Sequence, residues 1–228
     1  MNTLFAVYAL VEQLGLPIAI LAWLTVFAGA VAQAVGLRAE TRAHARAFLG
    51  MFALSLAAHL LDYFLTLAIT PDLSQEANPI WRVALASFGL PLAKAYGLTG
   101  KLFVCLTAAW CYVYYLTRRT RLFPVHAATF AAFVQGFGAT SRRVGGVRWG
   151  PISHLFAFLY AWLGPFFFYI SFLNFVGGVW EDMTLYTALP SPVAAVAGYL
   201  FLLVVIYFRV NYRVYREASA SPTAASPR

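Results

Sequence analysis

The stretch AFLGMFALSLAAHLLDYFLTLAI, residues 47–69, decides the fold. As a helix it extends about 35 Å at 1.5 Å per residue, enough to cross a hydrocarbon core of about 30 Å. Four polar residues interrupt it, Ser55, His59, Asp62 and Thr66. Their spacings of four, three and four place all four side chains on one helical face. An aspartate at membrane depth costs roughly 2.5–3.5 kcal/mol on insertion scales, so it needs a partner or a use.

The composition around this segment is of the same kind. Of 228 residues, 62% are hydrophobic and 11% are charged, against about 25% charged in a soluble domain. Further apolar runs of membrane length follow at 16–36, 91–117, 152–176 and 193–212. The expected fold class is therefore an all-α, polytopic bundle of about five transmembrane helices. It forms a single domain over 1–217, with a Ser, Ala and Pro tail over 218–228 expected to be disordered. A short helix over 4–14 is possible ahead of the first span. The N-terminus lacks the basic region of a secretory signal, so the first span is expected to be retained.

The segments between spans alternate in charge. Arg38, Arg42 and Arg46 lie in the first; Asp72 and Glu76 oppose Arg82 in the second; Arg118, Arg119, Arg121, Arg142, Arg143 and Arg148 fill the third. Glu181 and Asp182 lie in the fourth, and Arg213 and Arg216 begin the tail. The positive-inside rule then predicts a multi-pass protein of the cell inner membrane, with its N-terminus outside and its C-terminus cytoplasmic. The net charge of +8 is accounted for by flanks facing membrane lipids. No nucleic-acid partner is expected, because the arginines sit at loop ends without a nucleic-acid module.

Two shorter segments do not read as crossings. Residues 123–139 lie between arginine clusters and suit an interfacial amphipathic helix or a re-entrant piece. Residues 79–88 read as a short helix, with Asn78 as N-cap, Pro79 in first position, and Gly89 and Pro91 closing it. In 152–176, Gly164-Pro165 predicts a kink beside the aromatic run Phe166 to Tyr169. Ala28, Ala32 and Gly36 form a small-residue packing row. The 20 Phe, 13 Tyr and 6 Trp residues suit interfacial belts and lipid packing. Cys105 and Cys111, six apart on one helix, face different ways and are not expected to bridge.

The third span carries Lys94 and Lys101, seven apart and on one face, with Gly97 and Cys105 near the same stripe. Counted from the outer ends, Asp62 lies about 10 Å deep, Lys101 about 15 Å and Lys94 about 5 Å. A lysine stem can reach outward by several ångströms. Lys101 is thus expected to meet Asp62, and Lys94 to meet Glu76 or the outer headgroups, with Gly97 letting the two helix backbones approach.

The candidate polar cluster is therefore His59, Asp62, Thr66, Glu76, Asn78, Lys94 and Lys101. Three uses compete for it. It can be a buried ion pair fixing helix register, with His59 and Thr66 hydrogen-bonding nearby. It can be a site for a proton, ion or lipid headgroup, with His59 titrating beside the carboxylate. It can be catalytic, with His59 as base and Asp62 as its orienting group. No nucleophile, HExxH or GxSxG pattern accompanies it, so no catalytic residue and no metal site is assigned and the enzyme reading is disfavoured. His59 and His154 offer a haem or pigment two axial ligands from different helices. The residues name no cofactor.

Asp62-x-x-x-Thr66 and Glu76-x-Asn78-Pro79, followed by a lysine in the next span, resemble the hallmark of a family of small prokaryotic integral membrane proteins of unknown function. The resemblance covers roughly 47–117. Lys94 falls slightly early and Lys101 slightly late for the lysine of that pattern. What the resemblance implies is a shared intramembrane polar site, without an activity.

These readings lead to a non-enzymatic inner-membrane protein with an intramembrane polar site around Asp62 and Lys101. The alternative is an accessory subunit of a larger membrane complex, haem- or pigment-associated, in which the cluster serves helix packing only.

Overall fold

The computed structural model describes residues 24, 38–74, 79–139, 141, 143–144 and 146–220. Among these, four helices are long and apolar enough to cross a membrane. In chain order the elements are α1 (Arg38–Ala43), α2 (Ala45–Ile69), α3 (Pro79–Arg118), a 3-10 turn (Arg119–Leu122), α4 (Phe130–Gly136), β1 (Arg143–Val144), β2 (Val147–Arg148), α5 (Trp149–Gly178), α6 (Met183–Ala188) and α7 (Pro192–Ala220). The expected span 16–36, apart from residue 24, and the row Ala28, Ala32 and Gly36 lie outside the described residues, as do Glu76, Asn78 and the last eight residues of the tail.

The buried residues of α2 are Met51, Ser55, Ala58, His59, Asp62 and Tyr63. This is one helical face, and it carries three members of the polar stripe. The opposite side presents Leu54, Leu61 and Phe64 outward. The helix is thus polar on its packed side and apolar on its exposed side, the arrangement that suits a lipid surround.

Helices α2, α3 and α5 pack against one another in all three pairings, and α7 packs on α5. Contacts climb together along α2 and α5, from Ser55–Gly164 through Asp62–Asn174 to Ile69–Gly178, so these two helices run parallel. Helix α3 runs antiparallel to α2, since Phe48 meets Trp110 while Tyr63 meets Trp81. One end of the bundle therefore gathers Arg118, Arg119, Arg121, Arg143 and Arg148, and the other gathers Asp72, Glu181 and Asp182.

Helix α3 is broken at Gly89, where φ is 76° and ψ is 171°. Glycine tolerates this positive φ without a Cβ penalty. Pro91, two residues on, withholds an amide from the preceding turn. The break separates the expected short helix from the membrane-length part. At Gly164-Pro165, α5 continues through the proline as one helical run.

Residues 123–139 do not cross the bundle. The seven-residue α4 is too short to span, and Phe133 is fully buried against Tyr212 and Tyr215 of α7. The Ala127 amide donates to Tyr215 Oη at 2.8 Å and the Gly138 amide to the Leu122 carbonyl at 2.7 Å, which folds the segment over the basic end.

Candidate functional site

At the level of Asp62, three helices meet. The Lys101 ammonium on α3 lies 2.6 Å from Asp62 Oδ2 on α2, and the Asn174 amide on α5 donates to Asp62 Oδ1 at 3.4 Å. The carboxylate thus ties α2 to both neighbours. The side chains of Lys101 and Asp62 are 18% and 10% exposed, so the pair is screened from water on most sides and its attraction exceeds that of a surface pair.

Aromatic rings enclose the ammonium. Its nitrogen lies 5.3 Å from the Phe167 ring centroid and 6.0 Å from that of Trp81, within range of a cation–π attraction. Trp81 is held by its edge contact with Tyr63, and its indole lies directly over Gly97. This corrects the role expected of Gly97. Its missing side chain makes room for the Trp81 ring, not for a helix backbone. Tyr63 Oη donates to the Lys94 carbonyl at 3.1 Å, a second tie between α2 and α3.

His59 lies one turn below Asp62 and is 3% exposed. Its ring packs on Phe167 with centroids 4.1 Å apart. Among the described residues neither ring nitrogen has a hydrogen-bond partner, so the hydrogen bond that the register reading expects of His59 is not made there. One turn further, Ser55 is fully buried and directs its hydroxyl to Met51 Sδ at 3.9 Å. There α5 comes so close that a Cβ on Gly164 would lie 2.6 Å from Ser55 Oγ.

The remaining expected members lie apart. Thr66 is half-buried, and its backbone carbonyl accepts the Thr70 amide that ends α2. Lys94 does not join the ion pair; it sits toward the acidic end, where its charge acts on Asp72. The Asp72 carboxyl is held below its ordinary range first by the Ser74 amide, 3.1 Å away, and only in small part by Lys94. Glu76 and Asn78 lie outside the described residues.

His154 has a different environment. Its Nε2 is 2.9 Å from the Tyr115 carbonyl and its Nδ1 is 2.6 Å from Tyr207 Oη. A carbonyl only accepts, so Nε2 carries the proton, and in the neutral ring Nδ1 accepts from the tyrosine hydroxyl. Both nitrogens are engaged inside a fully buried aromatic cluster, which leaves no lone pair for a haem or pigment. Cys105 and Cys111 form no disulfide. No group of three or more His, Cys, Asp or Glu side chains converges on a metal-sized space among the described residues.

Sequence reasoning did not single out Trp81 or Asn174, and named Phe167 only as part of the run Phe166 to Tyr169. Asn174 carries a readable signal, since it is a lone amide within the apolar run 152–176. The two aromatic residues carry none, in a chain rich in such rings.

The arrangement unites a fixed anion, a fixed cation, an amide donor and an imidazole with both nitrogens unbonded. Comparison with protein-family models, with curated proteins and with solved structures finds nothing that matches this chain.

Proposed function

We propose that this chain is a multi-pass, non-enzymatic protein of the cell inner membrane whose Asp62–Lys101 site takes up a proton, an ion or a lipid headgroup within the bilayer. The orientation in this proposal places the basic end in the cytoplasm, following the positive-inside rule. The observation that carries it is the buried imidazole of His59, unpartnered among the described residues one turn from a buried ion pair. A register device needs the pair alone, whereas an unbonded buried imidazole is a cost that a bound species would offset. The resemblance of Asp62, Thr66, Glu76 and Asn78 to the small prokaryotic membrane family belongs to the same proposal, with Lys101 as its lysine.

Reconstitution tests it. The double substitution Asp62→Asn/Lys101→Met removes both charges together and is expected to remain folded while losing proton or ion passage into vesicles, or headgroup binding. A double variant that matches the parent in stability and in these readouts would remove the binding-site reading.

One observation favours a second reading, that of an accessory subunit in a larger membrane complex. Helix α7 packs on α5 while Phe201, Leu202, Val205 and Val210 remain exposed along it. Purification in mild detergent discriminates the two, because an accessory subunit brings down stoichiometric partners. The absorbance spectrum of the same preparation reports any haem or pigment.

A further inference from the structure

The short hairpin before α5 pairs two like charges. Strands β1 and β2 are antiparallel, with Arg143 opposite Arg148 and Val144 opposite Val147. Directly opposed residues project to the same face with Cβ atoms about 5 Å apart, and like charges there repel. Gly146, between the two strands, has φ +79°. The backbone therefore sets the stems of two arginines side by side on one face.

Nothing within the described residues neutralises them. Neither arginine has an ion-pair partner there, and Arg148 Nε is buried without a hydrogen-bond partner. The two carboxylates described at this end are already engaged, Glu40 by Arg118 at 3.1 Å and Glu217 by Arg213 at 2.8 Å. Arg148 is also the N-cap residue of the 30-residue α5, and no side chain caps the amides that begin it. Those amides and their dipole favour negative charge on the same spot.

The neighbours of the pair suit an interface. Trp149, next in the chain, is 55% exposed and Val147 is 39% exposed, and tryptophan prefers the headgroup level of a bilayer. Gly150 holds the start of α5 against Ser141 and Leu122, so the hairpin lies at the arginine-bearing rim.

We propose that Arg143 and Arg148 form a clamp for a phosphate group. Two guanidinium forks on one face match the oxygens of a phosphate monoanion or diester, and the bound anion removes their repulsion. A phospholipid headgroup and a free phosphate offer the same oxygens, and the adjacent exposed Trp149 suits the lipid. This clamp is separate from the Asp62–Lys101 site and does not depend on it.

The full chain in vesicles of phosphatidylcholine, probed with spin-labelled phosphatidylglycerol, gives the test. The parent is expected to immobilise phosphatidylglycerol in preference to spin-labelled phosphatidylcholine. Arg143→Gln/Arg148→Gln is expected to weaken that preference about tenfold or more. Competition by inorganic phosphate at low concentration would support the clamp with free phosphate as its occupant, and resistance to it supports the lipid. Arg213→Gln/Arg216→Gln removes equal charge from the same end. An equal loss in that control would overturn the clamp in favour of diffuse charge. Arg143→Lys/Arg148→Lys keeps the charge without the forks and guards against misfolding of the glutamine variant; undiminished preference in it would equally overturn the proposal.

Discussion

Lys101 Nζ lies 2.6 Å from Asp62 Oδ2 across 39 residues of chain, and this pair joins the two helices at the depth where each is otherwise apolar. Removing one partner strands the other. Asp62→Asn alone is expected to lower stability by about 3 kcal/mol. Asp62→Asn/Lys101→Met should recover most of that loss, because two uncharged groups leave no unpaired ion. Thermal midpoints in detergent for both single variants and the double variant measure the coupling. A coupling near zero would mean that the ion pair contributes nothing to the fold.

His59 should behave differently from its neighbour. With no hydrogen bond to lose among the described residues, His59→Leu is expected to change stability by less than about 1 kcal/mol, or to raise it. If His59 instead holds a bound polar species, the same change abolishes uptake while the midpoint holds. A large fall in midpoint would show that the ring has a structural partner.

Trp81 lies over Gly97, and a Cβ there would overlap its indole ring. Gly97→Ala is expected to cost about 1–3 kcal/mol by overpacking and to displace the ring from the Lys101 ammonium. Tryptophan fluorescence should shift with the loss. An unchanged midpoint and spectrum would mean the ring moves aside freely.

Gly164 sets how closely α5 approaches α2. Gly164→Ala places a methyl 2.6 Å from Ser55 Oγ and 3.4 Å from Ser55 Cα, with an expected cost of about 1–3 kcal/mol. Ser55→Gly clears the space and should restore part of it, less about 1 kcal/mol for a glycine within a helix. Absence of any rescue in the double variant would place the contact elsewhere.

At the basic end, His154 and Tyr207 share a 2.6 Å hydrogen bond in a buried aromatic cluster. His154→Leu leaves the Tyr207 hydroxyl unpaired, at about 1–3 kcal/mol. Adding Tyr207→Phe should return about 1 kcal/mol of it, read as the interaction term of a double-mutant cycle. Strict additivity of the two changes would deny the bond.

Composition and periodicity by themselves determined the membrane class, the membrane-length runs and the polar face of α2. They suffice because a bilayer demands long apolar helices, and because a 3.6-residue period assigns faces without knowledge of neighbours. The short helix before Gly89 was legible too, from its punctuation by proline and glycine. Depth counted along the two helices also pointed Lys101, not Lys94, toward Asp62, and the structure forms that pair at 2.6 Å. Only the tertiary structure decided that Asn174, 112 residues away, takes the other carboxylate oxygen, that Trp81 fills the space at Gly97, and that His154 is saturated while His59, among the described residues, is not. These depend on which surfaces pack together, and among helices that are apolar on nearly every side hydrophobicity does not choose the partner.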